Sequence, residues 1–168
     1  MNSLPLVTFF LAHSASAHLR HTAYTSLTPL SIAASFASIS IVTLLVSSGA
    51  RVDRGNVLHA AVTSDQPGRL EIISYLISQG APVNTLWNAH NRRRASIEDH
   101  LQGEDWVRGT PLHEAVKVGR KAVLALLLER GGDAEAKDVK GRSVKDVARM
   151  RGNKGILEIL AIAKDAAQ

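Results

Sequence analysis

The sequence predicts an all-α fold, a solenoid of stacked helix-turn-helix units. Three observations carry that prediction. A unit opening at Thr110-Pro111-Leu112-His113-Glu114-Ala115 continues through Gly119 to an apolar run at 123–128 and closes at Gly131-Gly132-Asp133. The unit recurs, with Ser143 opening another copy 33 residues after Thr110, and a repeat of this size marks a stacked array. Only 4% of the residues are aromatic, so the layers must be packed by Leu, Ile, Val and Ala.

Residues 1–27 read in two ways. Leu6-Val7-Thr8-Phe9-Phe10-Leu11 aligns with 123–128, and Ala15 falls near the turn, which makes this segment the second half of a unit. Alternatively, the apolar stretch at 4–12 followed by Ala15-Ser16-Ala17 has the form of a signal segment and its cleavage site. No Lys or Arg precedes the stretch, and the half unit is the preferred reading. Its outer face is then uncovered, free to pack on further repeats or on another chain.

The array proper spans 28–168. Its first copy, 28–55, opens at Thr28-Pro29-Leu30-Ser31-Ile32-Ala33-Ala34 and continues with Ile41-Val42-Thr43-Leu44-Leu45-Val46 and Gly49-Ala50. The 22 residues from 29 to 50 are uncharged and long enough to cross a bilayer, but six serines and the repeat register make them two short helices. The second copy, 56–109, opens at Asn56-Val57-Leu58-His59-Ala60-Ala61. Its inter-helix turn gains three residues around Asp65-Gln66-Pro67-Gly68, and it carries an insertion at 85–108.

The third copy, 110–142, shows the local physics most clearly. Thr110 can cap a helix whose first turn accepts Pro111, because the missing N–H has no partner there anyway. Leu112, Ala115 and Val116 share one side, and Gly119 is a natural stop. A second helix from about 121 to 129 carries a wide apolar face that two short helices cannot bury alone, so neighbouring copies must cover it. The fourth copy, 143–168, replaces the opening signature with Ser143-Val144-Lys145-Asp146, which suits a terminal cap with a wetter outer face.

The 33-residue period and the Thr-Pro-Leu-His pattern resemble the ankyrin repeat. The resemblance is specific at 110–142 and extends from 28 to about 163. It implies a hairpin finger after each second helix: short in the first copy, swollen by the insertion in the second. It also implies that His59 and His113 tie the start of each first helix to neighbouring loops. Glu114, beside His113, then reads as a solvent-facing residue. By resemblance, partners bind a concave surface made of Ser35, Phe36, Thr63, Ser64, Lys117 and Val118 on first helices and Val139, Lys140 and Arg142 on the last finger. Trp106, Val107 and Arg108 precede Thr110 but sit one residue out of the pattern.

Composition narrows the chemistry. There is no cysteine, which removes disulfides and thiolate chemistry. The formal charge of +5 biases partners towards acidic surfaces. From 1 to 50 the sole charged side chain is Arg20. No phosphate-cradling glycine loop, nucleophile elbow or paired carboxylates occur, so the expectation is a non-catalytic protein with no cofactor. His13, His18 and His21 lack an established ligand spacing and read as surface histidines, so no metal is expected.

The insertion holds Trp87 and Trp106, the chain's two tryptophans, beside Asn91-Arg92-Arg93-Arg94. They either anchor a partner, as tryptophans at hot spots do, or fold back to pin the loop. Arg93-Arg94-Ala95-Ser96 resembles a basophilic kinase substrate, which makes Ser96 a phosphorylation candidate. Basic residues from Lys117 to Lys145 are interleaved with Glu114, Asp133, Glu135, Asp138 and Asp146, which reads as a mixed solvated surface rather than a nucleic-acid stripe. The sequence therefore points to a protein partner rather than nucleic acid or membrane, with a cytoplasmic or nuclear setting preferred over secretion. A regulatory segment of a larger enzyme or channel would look the same.

Overall fold

The computed structural model describes residues 3–13, 15–17, 28–87 and 109–165. They fall into two compact units, one up to Pro82 and one from Val83 onward. Among the described residues the regular structure is entirely helical: α1 (Leu4–Ala12), α2 (Pro29–Phe36), α3 (Ile39–Ser47), α4 (Val57–Thr63) and α5 (Arg69–Ser78) in the first unit, and α6 (Pro111–Lys117), α7 (Lys121–Glu129), α8 (Val144–Met150) and α9 (Lys154–Asp165) in the second. The uncharged stretch at 29–50 is indeed divided between α2 and α3. No helix among the described residues is long and apolar enough to cross a membrane.

Three of the four first helices are started by their own side chains. Thr28 and Ser31 exchange hydrogen bonds as a capping box, Ser143 and Asp146 do the same, and Thr110 pairs with His113. These contacts satisfy amide groups that the first turn leaves without partners. Asn56 instead precedes α4 in the left-handed region, at φ 52°, a conformation asparagine tolerates better than most residues.

Packing follows one register through the repeats. First helices bury Leu or Val and then Ala or Val at i+3 and i+4: Leu30, Ala33 and Ala34; Leu58, Ala61 and Val62; Leu112, Ala115 and Val116; Val144, Val147 and Ala148. Second helices bury i, i+1 and i+4: Ile41, Val42 and Leu45; Ile72, Ile73 and Leu76; Val123, Leu124 and Leu127. The pattern lets each pair bring apolar stripes together at short range, and neighbouring pairs within a unit cover what remains. In α1 the corresponding Leu6 and Phe10 are exposed, while the helix packs on α3.

Two loop ties and one turn complete the framework. The Asn84 side chain donates to the Gly131 carbonyl at 2.9 Å and accepts from the Asp133 amide at 2.8 Å, joining successive loops in the second unit. Lys137 and Ser143 form an antiparallel bridge. The turn between them closes on the Asp138 carboxylate, which accepts from the Lys140 and Arg142 amides and from Arg142 Nε at 2.8–2.9 Å. In the first copy, residues 51–56 form turns with no bridge, a short finger.

The charged side chains of Glu114 and Arg69, both on helices, are buried, and the first of them departs from the sequence reading. Glu114 is buried, not solvent-facing, because α8 packs against α6, and its carboxylate meets the Lys117 ammonium at 2.7 Å. Arg69 is also buried and sends Nη1 and Nη2 to the Ala34 and Ala37 carbonyls, each at 2.5 Å. Its guanidinium thus caps the C-terminal end of α2, where a cation is favoured by the exposed carbonyls and the helix dipole.

Candidate partner-binding surface

In the second unit the ends of the two first helices and the finger meet in a hollow. Lys117 on α6, Val147 and Met150 on α8, Arg151 just beyond α8 and Arg142 from the finger line a pocket of about 290 Å³. The step of 33 residues that carries Thr110 to Ser143 also carries Lys117 to Met150 and Val118 to Arg151. The pocket therefore repeats one helical position in consecutive copies. Sequence reasoning found Lys117, Val118 and Arg142 but missed Met150 and Arg151, although that spacing would have identified them.

Two of the three cations of this hollow, Lys117 and Arg142, are paired with buried carboxylates. Asp138, its side chain wholly buried, pairs with Arg142 at 2.9 Å, and Glu114 pairs with Lys117. For Asp138, burial pushes the carboxyl up, but the amides of Arg142 and Lys140 and the Arg142 guanidinium outweigh it and hold the group below its ordinary value. For Glu114, burial is the larger influence and raises the carboxyl despite Lys117. Met150 is 64% exposed and its sulfur lies 3.6 Å from Arg142 Nη1, so the hollow offers apolar and cationic contacts side by side.

His113 secures the floor. Its Nδ1 accepts from the Thr110 amide at 3.2 Å, which leaves Nε2–H to donate to the Arg142 carbonyl at 3.1 Å. Burial lowers its proton affinity, as expected for a neutral ring linking helix start to finger. His59 is buried at the equivalent place in α4. Between the surfaces, both histidines are structural parts of the repeat.

The other predicted positions fall as follows. In the first unit, Phe36 is exposed and Thr63 half-buried, its hydroxyl donating to the His59 carbonyl at 3.1 Å. Ser35 donates to the Ala60 carbonyl at 3.2 Å, and Ser64, itself buried, donates to the Ser35 carbonyl. These two serines join α2 to α4 and shape the surface from beneath. In the second unit, Val118, Val139 and Lys140 are exposed. Trp87 is half-buried, its amide donating to the Gly109 carbonyl at 3.0 Å. Trp106, Val107, Arg108 and Ser96 lie outside the described residues, as do His18 and His21. His13 is exposed and donates from Nδ1 to the Phe9 carbonyl, and no metal-ligating group of three or more side chains occurs among the described residues.

Short helix pairs in a fixed register, Thr-Pro caps, a His-to-finger tie and a small hairpin define a repeat protein of the ankyrin class. Comparison with known proteins agrees: a family model for ankyrin repeats, in three copies, matches residues 1–86, and a single ankyrin repeat matches 109–139. The chain belongs to the ankyrin-repeat family. Among curated proteins it is similar to palmitoyltransferase ZDHHC17 of Rattus norvegicus, 41% identical over 64 residues, which is 38% of this chain and 10% of that protein. The Homo sapiens palmitoyltransferase ZDHHC17 is 38% identical over the same length and shares. Potassium channel GORK of Arabidopsis thaliana is 35% identical over 75 residues, 45% of this chain and 9% of the channel. The chain thus spans about a tenth of the length of these relatives.

Proposed function

We propose that the chain is a non-catalytic interaction module that holds a partner protein on the exposed positions of its first helices and on the last finger. The observation that carries this reading is the convergence of Lys117, Arg142, Val147, Met150 and Arg151 on one hollow. Phe36 and Thr63 offer the equivalent positions in the first unit, and Val118, Val139 and Lys140 extend the second. The scaffold supports recognition because the hydrogen-bonded caps and buried ion pairs order these side chains before a partner arrives, which lowers the entropic cost of binding. A second reading, a regulatory ankyrin segment of a larger enzyme or channel, is favoured by the names of the matched relatives. The module and the segment share one binding surface.

Affinity capture tests the reading. Immobilised intact chain is compared with a Phe36→Ala/Met150→Ala/Arg151→Ala variant of unchanged circular dichroism, and with a chain lacking residues 85–108. A protein retained by the intact chain and lost by the triple variant supports the surface; equal retention by both overturns it. The deletion reports whether Trp87, Trp106 and their neighbours add an anchor. The proposal carries a cytoplasmic or nuclear setting, which a mature N-terminus at His18 would contradict.

A further inference from the structure

The two halves of the sequence differ in charge. From 28 to 87 three Lys and Arg face three Asp and Glu, whereas from 109 to 165 there are twelve against eight. Within the hollow, the three cations Lys117, Arg142 and Arg151 stand against two buried carboxylates, Glu114 and Asp138, so its balance is cationic. We propose that this pocket recognises an acidic peptide segment, a Glu or Asp carboxylate meeting Arg142 and Arg151 while an adjacent aliphatic side chain lies against Met150. This inference rests on the protein-binding reading and specifies the chemistry of the partner.

Geometry favours a peptide over other anions. A volume of about 290 Å³ accommodates one or two side chains. Nucleic acid gains its affinity from a run of phosphate contacts and, when single-stranded, from aromatic stacking platforms; the described lining is one cluster without an aromatic residue. Met150, 64% exposed, adds an apolar contact that a phosphate backbone would not use. The guanidinium of Arg142 is positioned by Asp138 through Nε and through its own backbone amide, a fork held ready for a carboxylate.

The test is fluorescence anisotropy with a fluorescein-labelled peptide of alternating glutamate and leucine. Its companions are the same peptide with glutamine in place of glutamate and a thymidine oligonucleotide of equal charge. The glutamate peptide should bind the full chain. Arg151→Gln and Met150→Gln should each weaken it about fivefold or more, roughly the loss of one exposed contact, while Arg130→Gln, outside the pocket, should leave it unchanged. Equal weakening by Arg130→Gln, equal binding of the glutamine peptide, or tighter binding of the oligonucleotide with loss in Arg151→Gln would each overturn the inference. If affinity capture yields a partner indifferent to these variants, the pocket assignment fails while the module stands. A bound peptide with no captured protein gives the reverse.

Discussion

Leu126 and Leu127 are neighbours of identical chemistry, and the packing register assigns them different energies. Leu127 is fully buried between α7 and its surroundings, whereas Leu126 is half-buried. Truncating a fully buried leucine removes its transfer free energy and leaves a cavity, together costing about 2–5 kcal/mol. Leu126→Ala sheds only part of a side chain's contact with protein, and at roughly 25 cal/mol per Å² its cost should be about 1 kcal/mol. The sequence pattern alone, which spreads the apolar face of this helix over both leucines, would assign Leu126 the larger sum. Urea denaturation followed by circular dichroism and by tryptophan emission, to which Trp87 of this unit contributes, measures both variants. Unchanged m values are required for the comparison. A Leu126→Ala cost equal to or above that of Leu127→Ala would refute the i, i+1, i+4 register on which the whole stack is built.

Three further outcomes follow from the same structure. A Cβ on Gly132 would meet the Leu127 carbonyl oxygen at 2.7 Å, so Gly132→Ala should lower Tm by several degrees, whereas Gly131→Ser, at φ 84° with open space around it, should act through backbone strain alone. His113 is held neutral by burial, so its folded pKa lies below the ordinary 6.5; its stabilisation is complete above that value and is lost as pH falls through the folded pKa. His113→Gln should therefore have a lower Tm at neutral pH and a flatter decline on acidification, and an unchanged slope would contradict the assignment. Arg69→Met keeps the stem of the side chain but strips the Ala34 and Ala37 carbonyls of their donors, and calorimetry should show a loss of about 1–3 kcal/mol.

How much of this was legible beforehand depends on how local the cause is. Thr28, Thr110 and Ser143 announce their helices because a cap acts within four residues, and the aliphatic runs announce the second helices because their spacing is helical. The finger at 137–143 followed from the repeat. Glu114 was misread because its burial depends on α8 packing against α6, which no window of sequence around Glu114 contains, although its ion-pair partner Lys117 lies only three residues on. Arg69 was missed for a similar reason: its partners lie 32 and 35 residues earlier, and a lone arginine after a glycine carries no sign of its destination. Met150 and Arg151 were available through the 33-residue step, but the altered opening of the fourth copy directed attention to its role as a cap.

The central claim is that a partner sits on the first-helix positions. Site-specific photo-crosslinking tests it most directly, with a benzophenone amino acid at position 150 in one protein and at position 125, exposed on second helix α7, in another. With a captured partner present, position 150 should give a crosslinked adduct and position 125 should not. Adducts from position 125 with none from position 150 would contradict the account.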